Sequence, residues 1–406
     1  MGELALDGSI RSANGILPVA VAARELGYTK LLIPCDNTPE ASVVDGIEVY
    51  GARNLTQVVE HFRNEAPIPK TVADGKSLFE GCHKFEYDFE DVKGQEGAKR
   101  AMEVSAAGGH NCLMIGSPGS GKTMLAKRLP SILPDMSFDE ALEVTKIYSI
   151  SGKLPKDTAL ITQRPFRSPH HTISSVGLTG GGSTPKPGEI SLAHRGVLFL
   201  DEFPEFRKDA IEAMRQPLED GSFTVSRIAG SSEFPSSVML IASMNPCKCG
   251  YYGDPNRECT CTAGQIQSYL GKVSGPMLDR FDLHIEVPAI KYDELSTKQK
   301  GEPSESIRQR VNRARKIQLE RYKDAGIYCN AQLTPPLVER YCQLTEESSA
   351  ILKNAFETLG LSARAHNRIL KVARTIADLA GSETIETVHL AEAIQYRSLD
   401  KKFWYN

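Results

Sequence analysis

Short apolar runs alternate with segments of helical spacing through the middle of the chain. The runs that predict strands are CLMIG (112–116), ALIT (159–162), GVLFLDE (196–202), VMLIASMN (238–245) and LHIEV (283–287). Near-continuous apolar strands separated by helices are typical of a parallel sheet that is covered on both faces. The pattern therefore predicts an α/β core, which we place at residues 86–290.

The segments on either side of this core have different patterns. Residues 1–66 contain short strand and helix signals, and Asn54 is expected to cap a helix that ends near Phe62. Residues 67–85 carry prolines and little periodicity, which predicts a linker. An all-helical domain is expected over 291–406. Its helices are expected near 304–324, 336–342, 346–358, 362–380 and 386–396.

Composition places few further limits on function. Hydrophobic residues make up 40% and charged residues 24% of the 406 residues, which excludes disordered, collagen-like and coiled-coil classes. Lys and Arg number 48 against 51 Asp and Glu, so nucleic acid would have to bind at a local patch or in a pore. There is no apolar run near the roughly 20 residues of a membrane span and no signal-peptide pattern. With nine cysteines and no disulfide scaffold, we expect a cytoplasmic protein with reduced thiols and no membrane contact.

The strongest motif follows the strand CLMIG and opens a helical segment. It is a full GxxxxGK[ST] match formed by Gly116, Ser117, Pro118, Gly119, Ser120, Gly121, Lys122 and Thr123. In this context, glycines let backbone N–H groups turn toward phosphates at the positive end of a helix. Lys122 would contact the β- and γ-phosphates of ATP, and Thr123 would bind Mg²⁺.

Polar residues also end two later strands. Asp201 and Glu202 end GVLFLDE, and Asn245 ends VMLIASMN. Open α/β sheets bind ligands at the carboxyl ends of their strands, so these residues are expected beside the phosphate loop. Asp201 would hold Mg²⁺ through its water shell, and Glu202 would orient and activate the attacking water. Asn245 would lie near the γ-phosphate if its strand lies between the other two.

Several longer segments are more specific than a nucleotide motif. They are GQEGAKRAMEVSAAGGHNCLMIGSPGSGKT, PFRSPHHTISSVGLTGGG, PGEISLAHRGVLFLDEFPEF, NPCKCGYYGD and GPMLDRFDLHIEV. Together they resemble the ComM/YifB family of magnesium-chelatase-like AAA+ ATPases. The resemblance implies a P-loop AAA+ core, an all-helical C-terminal lid and a Lon-protease-like α/β N-terminal domain. It makes Asn245 the residue known as sensor 1.

The same resemblance implies a homo-oligomer, expected to be a hexamer, that uses ATP to move along DNA. Its expected activity is that of a branch-migration helicase on single-stranded or branched DNA, in support of recombination during natural transformation. Two other functions share the same nucleotide motifs. A chelatase-type motor subunit would drive metal insertion in a partner enzyme, and a protein-remodelling ATPase would act on polypeptide.

Two arginines acquire roles from the resemblance. Arg280 in GPMLDRFD matches the arginine finger that is offered to a neighbouring subunit, and Arg364 in LSARAHNRIL matches sensor 2. A guanidinium near developing phosphate charge is a strong stabiliser of the transition state. The residues themselves leave alternatives open, since Arg280 could pair with Asp279 or Asp282. Nearby Arg368 competes with Arg364 for the sensor position.

The N-terminal segment resembles only the carboxyl-terminal half of a Lon-like domain. Leu17 occupies the position where Lon-type proteases carry the catalytic lysine, and the half with the nucleophilic serine is absent. Protease activity is therefore not expected. Half of a sheet should leave an open strand edge, which the linker or a neighbouring chain would cover. The start at Met1-Gly2 is interpreted as a fragment or a shortened family member.

Four cysteines follow Asn245 within a short polar segment: Cys247, Cys249, Cys259 and Cys261. Four thiolates suit tetrahedral Zn²⁺, and metal binding would couple to folding of the loop. The C-x-C spacing is tighter than that of most zinc sites. Independent free thiols or a redox pair are therefore the alternative to structural zinc.

A glycine-rich segment, residues 176–183, lies in a locally basic region. Arg164 and Arg167, and farther along the chain Arg227, are candidate contacts to nucleic-acid phosphates. In a ring, such residues would line the pore and follow the DNA backbone without reading bases. The alternative is a mobile surface insertion without contact to DNA.

Overall fold

The computed structural model of the chain describes residues 1–72, 85–182, 185–227, 230–290, 292–296, 300–359 and 361–404. The N-terminal elements are β1 (Glu3–Leu4), β2 (Ile10–Arg11), α1 (Ile16–Glu25), β3 (Lys30–Pro34), α2 (Thr38–Ala41), β4 (Glu48–Ala52), α3 (Leu55–Phe62) and β5 (Lys70–Thr71). The predicted cap of α3 is confirmed, because the Asn54 side chain accepts a hydrogen bond from the Gln57 backbone N–H at 2.9 Å.

The central region alternates strands and helices, as the apolar pattern predicts. Its elements are α4 (Glu96–Gly108), β6 (Cys112–Ile115), α5 (Lys122–Arg128), α6 (Phe138–Ser151), β7 (Phe166–Arg167), α7 (Ser175–Thr179), β8 (Gly180–Gly181), β9 (Lys186–Pro187), α8 (Glu189–Leu192), β10 (Val197–Leu200), α9 (Lys208–Ala213), α10 (Arg215–Asp220), β11 (Ser222–Arg227), β12 (Gly230–Pro235), β13 (Met239–Met244), α11 (Ala263–Leu270), α12 (Gly275–Leu278) and β14 (Leu283–Glu286).

The remaining elements are helical, which confirms the expected all-helical C-terminal region. They are α13 (Tyr292–Ser296), α14 (Ser304–Arg321), α15 (Pro335–Tyr341), α16 (Glu346–Leu359), α17 (Ala363–Ala380), α18 (Thr387–Gln395) and α19 (Leu399–Phe403). Within the ranges that the structure describes, we find no helix with both the length and the apolarity that crossing a membrane requires.

A five-stranded sheet forms the centre of the fold, with strand order β14-β6-β13-β10-β7. All its neighbouring strands are parallel, which confirms the predicted α/β class. On β6, Cys112 and Met114 belong to a core that includes α4, α14 and α17. Leu113 and Ile115 alternate with them and belong to a core that includes α7, α9 and α11. Both faces of the sheet are therefore covered, and C-terminal helices contribute to both covers, with α14 and α17 in one core and α19 in the other.

The prediction of a strand at ALIT (159–162) is wrong. The edge strand of the sheet is instead β7, which pairs with β10. Leu160 is buried in a third apolar core with Val144 of α6, and the backbone N–H of Ile161 donates to the Thr145 hydroxyl at 2.9 Å. Packing against α6 thus accounts for the apolar residues of this segment without sheet pairing.

The N-terminal residues form a small sheet of their own, in the order β3-β4-β5. Strand β5 lies in the expected linker and pairs antiparallel with β4, so the linker covers one edge of this sheet. Leu17 is fully buried in the apolar core that contains Val144 and Leu160. Buried Glu40 accepts hydrogen bonds from the Leu17 N–H at 3.2 Å and the Ser149 hydroxyl at 2.5 Å. The N-terminal segment therefore shares its core with α6.

Candidate nucleotide site and neighbouring clusters

The phosphate loop connects β6 to α5 along a path that requires glycine. Gly119 and Gly121 have positive φ angles of 78° and 92°, a region that other residues rarely adopt. Gly116 lies directly against another part of the backbone, because a Cβ atom there would be 2.3 Å from the Val287 carbonyl oxygen. Gly121 directly precedes α5, so the unpaired N–H groups of the first helical turn lie beside the loop.

The Lys122 ammonium group lies inside this loop. Its Nζ donates to the carbonyl oxygens of Gly116 at 2.7 Å and Ser117 at 3.0 Å. It also donates to Oδ1 of Asn245 at 3.2 Å. Burial lowers the pKa of Lys122 to about 8, although the nearby acidic side chains at the end of β10 act in the opposite direction. A bound anion would favour the charged lysine in this buried position.

Asn245 reaches the phosphate loop because of the strand order. Strand β13 lies between β6 and β10, which is the condition that the sequence prediction required. Asn245 directly follows β13 at the carboxyl end of the sheet, where its side chain meets Lys122. Two residues that are 123 positions apart in sequence are therefore in direct contact.

Asp201 and Thr123 form the oxygen-rich part of the site. The Thr123 hydroxyl donates to Oδ2 of Asp201 at 2.7 Å. The Ser243 hydroxyl donates to the other carboxylate oxygen, Oδ1. Hydroxyl and carboxylate oxygens are the protein ligands that Mg²⁺ prefers. These residues therefore fit a magnesium ion that accompanies a phosphate ligand.

Glu202 has an uncommon backbone conformation for a residue other than glycine, with φ of 53°. Its N–H donates to Oδ1 of Asp201 at 3.1 Å, which helps to hold this conformation. The Glu202 carboxylate is largely exposed, and its Oε2 lies 3.6 Å from Nδ1 of His171. A carboxylate in this position is accessible to water at the edge of the phosphate loop.

Two buried polar atoms beside the loop have no hydrogen-bond partner among the described residues. They are Oγ of Ser120 and Oε1 of Gln95. The amide nitrogen of the same Gln95 donates to the Ser120 carbonyl oxygen at 2.5 Å, so the side chain is held at the loop. Buried polar groups are rarely left without partners, so these two atoms have unused hydrogen-bonding capacity at the phosphate loop. The site therefore fits a nucleotide with its magnesium ion.

Sequence reasoning missed Ser243, Gln95 and His171. Ser243 could have been predicted from the sequence. It lies two residues before Asn245, and alternate residues of a strand share a face. Gln95 lies within the GQEGAK segment, but only the fold brings it to the phosphate loop. No local pattern relates His171 to Glu202, since their proximity arises from packing between distant segments.

Arg280 lies at the opposite end of the sheet from the phosphate loop. Its carbonyl oxygen accepts a hydrogen bond at 2.8 Å from the side chain of Asn111, the residue that precedes β6. The four residues of β6 separate this end from the phosphate loop by about 13 Å. The Arg280 side chain, only 10% exposed, forms an ion pair with Glu219. This pair replaces the pairing with Asp279 or Asp282 that the sequence left open.

Arg364 and Arg368 lie one turn apart on α17 in different environments. Arg364 is 63% exposed, and its Nη1 lies 3.2 Å from Oδ2 of Asp279. Arg368 is largely buried and donates to the Phe281 carbonyl oxygen at 3.0 Å. Arg364 is therefore the accessible member of the two. It lies at the same end of the sheet as Arg280, far from the phosphate loop of its own chain.

A cavity of about 620 Å³ opens beside Arg280 at this end of the sheet. Its lining includes the cationic side chains Arg315, Arg368 and Lys371. Burial lowers the pKa of all three, which shows that nearby acids only partly offset the cost of removing their charges from water. The end of the sheet that carries Arg280 is thus partly enclosed. Its cavity is lined by these cations and also by acidic residues: Glu140, Glu219, Asp220 and Asp282.

The four cysteines that were predicted to bind zinc are free thiols, and the fold brings them together. The sulfur atoms of Cys247, Cys249, Cys259 and Cys261 lie within 4.8 Å of one another. The Cys247 sulfur lies 3.3 Å from that of Cys249 and 3.6 Å from that of Cys259. Zinc–sulfur bonds of about 2.3 Å in a tetrahedron imply sulfur–sulfur distances of about 3.8 Å. The sulfur–sulfur distances of the cluster are close to this value, so the cluster fits Zn²⁺.

The expected DNA contacts of Arg164 and Arg167 stay predictions, and both side chains have acidic partners in this structure. Arg164 is 8% exposed and pairs with Glu140 at 2.8 Å, while also donating to the Arg195 carbonyl oxygen at 2.8 Å. Arg167 is more exposed, but Glu189 holds it through two hydrogen bonds of 2.6 and 2.9 Å. A DNA contact by either arginine would have to displace its acidic partner, Glu140 for Arg164 and Glu189 for Arg167.

The rest of the predicted DNA surface is only partly described. Within the glycine-rich segment 176–183, α7 packs its fully buried Leu178 into the protein, and β8 pairs with β9. This part is therefore anchored to the core and does not form an open loop. Residue 183 and the side chain of Arg227 lie outside the described residues. Strand β11, which Arg227 ends, pairs with β12 in a hairpin.

The fold and the loop geometry define a P-loop ATPase with a parallel-sheet core and a helical C-terminal region. Comparison with known families assigns the chain to a smaller group within this class. The family described as "Magnesium chelatase, subunit ChlI" matches residues 88–295, and its C-terminal counterpart matches residues 301–397. A third family, "Subunit ChlI of Mg-chelatase", matches residues 1–37.

Individual relatives give the same assignment over nearly the whole chain. Competence protein ComM of Haemophilus influenzae is 44% identical over 405 residues, which cover 98% of this chain and 77% of that protein. YifB of Escherichia coli is 43% identical, with 99% of this chain and 77% of the relative covered. The magnesium-chelatase subunit ChlI of Cyanidium caldarium is 24% identical over 66% of this chain and 75% of its own length. The chain belongs to the ComM/YifB family of magnesium-chelatase-like AAA+ ATPases.

Proposed function

We propose that this chain is the subunit of an ATP-driven ring motor that acts on DNA in the cytoplasm. The observation that carries the ATPase part is the meeting of Lys122, Thr123, Asp201 and Asn245 at one end of the central sheet. This arrangement combines a cation for phosphates, oxygen ligands for magnesium and a polar amide. No other cluster of the described residues offers this combination beside a phosphate loop.

Each residue of the site has a distinct proposed role. The backbone of the loop, Gly116 to Gly121, cradles the phosphates, and Lys122 neutralises their charge. Thr123 and Asp201 hold Mg²⁺, which neutralises further phosphate charge when bound. Glu202 accepts a proton from the attacking water, for which its exposed carboxylate is suited.

The nucleotide site is completed, in this proposal, by a neighbouring subunit. Arg280 and Arg364 share the end of the sheet opposite to the phosphate loop, so neither is positioned for the nucleotide of its own chain. In a head-to-tail ring, that end faces the phosphate loop of the next subunit. Arg280 then acts as the arginine finger and Arg364 as sensor 2. Closure of such a ring, with six subunits as the expected number, is part of the proposal.

DNA is the proposed track because of the family resemblance. Similarity to a protein named for competence is higher, and covers more of the chain, than similarity to a magnesium-chelatase subunit. A chelatase-type motor is therefore the weaker alternative. Lon-like proteolysis has least support, because Leu17 occupies the lysine position and is fully buried.

The deciding experiment measures ATP turnover with and without partners. Single-stranded and branched DNA should each raise the rate above that of the protein alone, whereas unfolded polypeptide should not. Glu202→Gln is the matched control for contaminating ATPases, since it should bind ATP without turnover. Stimulation by polypeptide alone, or none by any DNA, would refute the proposed track.

We also propose that the four clustered cysteines hold one structural Zn²⁺. The support is the donor set, because four sulfur atoms within 4.8 Å of one another suit tetrahedral zinc. Metal analysis after purification without chelator should find about one zinc per chain. If there is no zinc and all four thiols titrate freely in the folded protein, they are independent thiols.

A further inference from the structure

We propose that the metal-binding segment, residues 247–261, supports the phosphate loop, so that loss of zinc weakens nucleotide binding. The inference rests on the nucleotide and zinc sites of the proposed function and adds a coupling between them. It does not depend on what the motor moves. Three contacts of the segment carry the inference.

The first contact joins the segment directly to the phosphate loop. Gly250 has a φ of 90°, and its backbone packs on the ring of Pro118. A Cβ atom at Gly250 would lie 2.5 Å from Cδ and 2.6 Å from Cγ of Pro118, so no side chain fits between them. The turn at Gly250 is closed by its own N–H, which donates to the carbonyl oxygen of the ligand residue Cys247 at 3.0 Å. The position of this turn therefore depends on the cysteine cluster.

The second contact is polar and lies farther along the same segment. The pKa of Asp254 is lowered by the backbone N–H of Asn256 and, next, by the side chain of Ser117, the second residue of the phosphate loop. Asp254 is itself held by backbone N–H groups, including that of Asn256 at 2.8 Å. Two successive residues of the phosphate loop, Ser117 and Pro118, thus lie against the metal-binding segment.

The third contact extends from the segment to the C-terminal end of the fold. The rings of Tyr252 and Phe403 meet edge to face, with centroids 6.3 Å apart. Phe403 ends α19 and is buried in the core on one face of the central sheet. The segment therefore lies between the phosphate loop and a fixed element of the fold.

Apart from the four cysteines, few features of the segment itself fix its conformation. Between Pro246 and α11 the described chain is a series of turns without helix or strand, so its conformation is not fixed by regular hydrogen bonding. Cys247 and Cys249 lie at its start, and Cys259 and Cys261 lie at its end. A metal ion bound by all four closes the segment at its base, and metal binding becomes part of its folding free energy.

Loss of the metal should consequently lower the affinity for nucleotide. The phosphate loop would lose its packing against Gly250 and the interaction of Ser117 with Asp254. Losses of this kind predict a fall in nucleotide affinity on the order of tenfold. Asn245 is also affected, because it is only two residues from Cys247.

The test uses the full chain and fluorescent ADP as the probe, so that neither turnover nor DNA enters the measurement. Zinc content and ADP affinity are measured together for the purified protein, after removal of zinc with a strong chelator, and after zinc is returned under reducing conditions. Affinity should fall about tenfold with zinc removal and recover with its return. Circular dichroism at each stage shows whether the remaining fold is intact.

Three variants separate the steps of the argument. Cys259→Ser should lower both zinc content and ADP affinity, whereas Cys35→Ser, a cysteine of the N-terminal segment, should change neither. Asp254→Ala should retain zinc and weaken ADP binding, since it removes the acceptor of Ser117 without removing a sulfur ligand. Unchanged ADP affinity in folded, zinc-free protein would overturn the coupling and leave the proposed ATPase intact. Failure of all preparations to bind ADP would instead refute the proposed nucleotide site.

Discussion

Arg280 forms an ion pair with Glu219 of α10, and not with either of the acids that adjoin it in sequence. The Arg280 side chain is almost buried, whereas that of Glu219 is mostly exposed. In an isolated chain, Glu219 is therefore paired with the guanidinium group that is proposed to act on the nucleotide of a neighbouring subunit. Delivery of Arg280 to that nucleotide requires the pair to break or rearrange.

Substitution of Glu219 should consequently favour the assembled state. Exposed ion pairs contribute at most about 1 kcal/mol, so Glu219→Gln should lower the protein concentration for half-maximal ATPase activity by up to about fivefold. This concentration is measured by following ATPase activity per chain as the protein is diluted. Glu205→Gln, which breaks the exposed pair with Lys272, is the control. An unchanged or higher midpoint would show that the Glu219 pair does not oppose assembly.

Arg280→Ala should retain ATP binding and lose most turnover, because the guanidinium matters most as charge develops in the transition state. Mixed with Lys122→Ala under conditions of subunit exchange, it should recover some activity. One interface then combines an intact phosphate loop with an intact arginine. Full turnover by Arg280→Ala alone would exclude the proposed finger.

Lys122→Ala and Glu202→Gln should separate binding from hydrolysis. The lysine contacts phosphates already in the ground state, so its loss should greatly weaken ATP binding. The glutamate acts on water in the transition state, so Glu202→Gln should bind ATP and hardly hydrolyse it. Equilibrium binding and single-turnover hydrolysis measure the two effects. Equal loss of ATP binding in both variants would contradict this division.

Nucleotide binding should take up a proton in mildly alkaline solution. Burial lowers the pKa of Lys122 to about 8 in the free protein, and bound phosphate raises it again. Between these two values the free lysine is neutral and the bound one is charged, so affinity should fall as pH rises above about 8. Calorimetry of ADP binding at pH 8.5 in buffers of different ionisation enthalpy counts the proton. The Lys122→Arg variant, which stays charged, should show no such uptake.

Arg164→Ala should reduce stability, because the Arg164 guanidinium is the buried partner of Glu140. Burial raises the pKa of Glu140, but the charge and hydrogen bonds of Arg164 outweigh it, so the net pKa lies below its usual value. Loss of Arg164 would leave a buried carboxylate unpaired, at a cost of about 3–5 kcal/mol in the free energy of unfolding. Urea unfolding measures this cost at pH 7. Because the pKa of Glu140 is lowered, the difference from the wild type should shrink as pH falls below about 4.5.

The residues of the phosphate site could be predicted because each follows a strand directly. A glycine-rich loop after β6 and polar residues after β10 and β13 need only a parallel sheet to bring them together. Asn245 depended in addition on strand order, which the sequence left as a condition and the fold meets. The Arg280–Glu219 pair had no local signal, since 61 residues separate its members and their contact depends on packing.

The wrong strand prediction at ALIT has a physical origin in packing. ALIT has the composition of a strand, yet Leu160 is buried against α6 and the segment is outside the sheet. Arg164 looks like an exposed basic residue in sequence, but Glu140 comes from another element and buries it. Apolarity and charge in a sequence indicate that a side chain needs a partner, and the fold decides which partner it finds.

Strand β6 ends in the phosphate loop on one side and begins, on the other, at Asn111, whose side chain holds the backbone of Arg280. In the proposed ring, this one short buried strand would act as a spacer of fixed length between two successive ATP molecules. Its four residues are fully covered by the two cores, so it cannot stretch or bend much as either site changes. Mechanical strokes would then come from tilting of whole subunits against one another, with each subunit serving as a stiff lever.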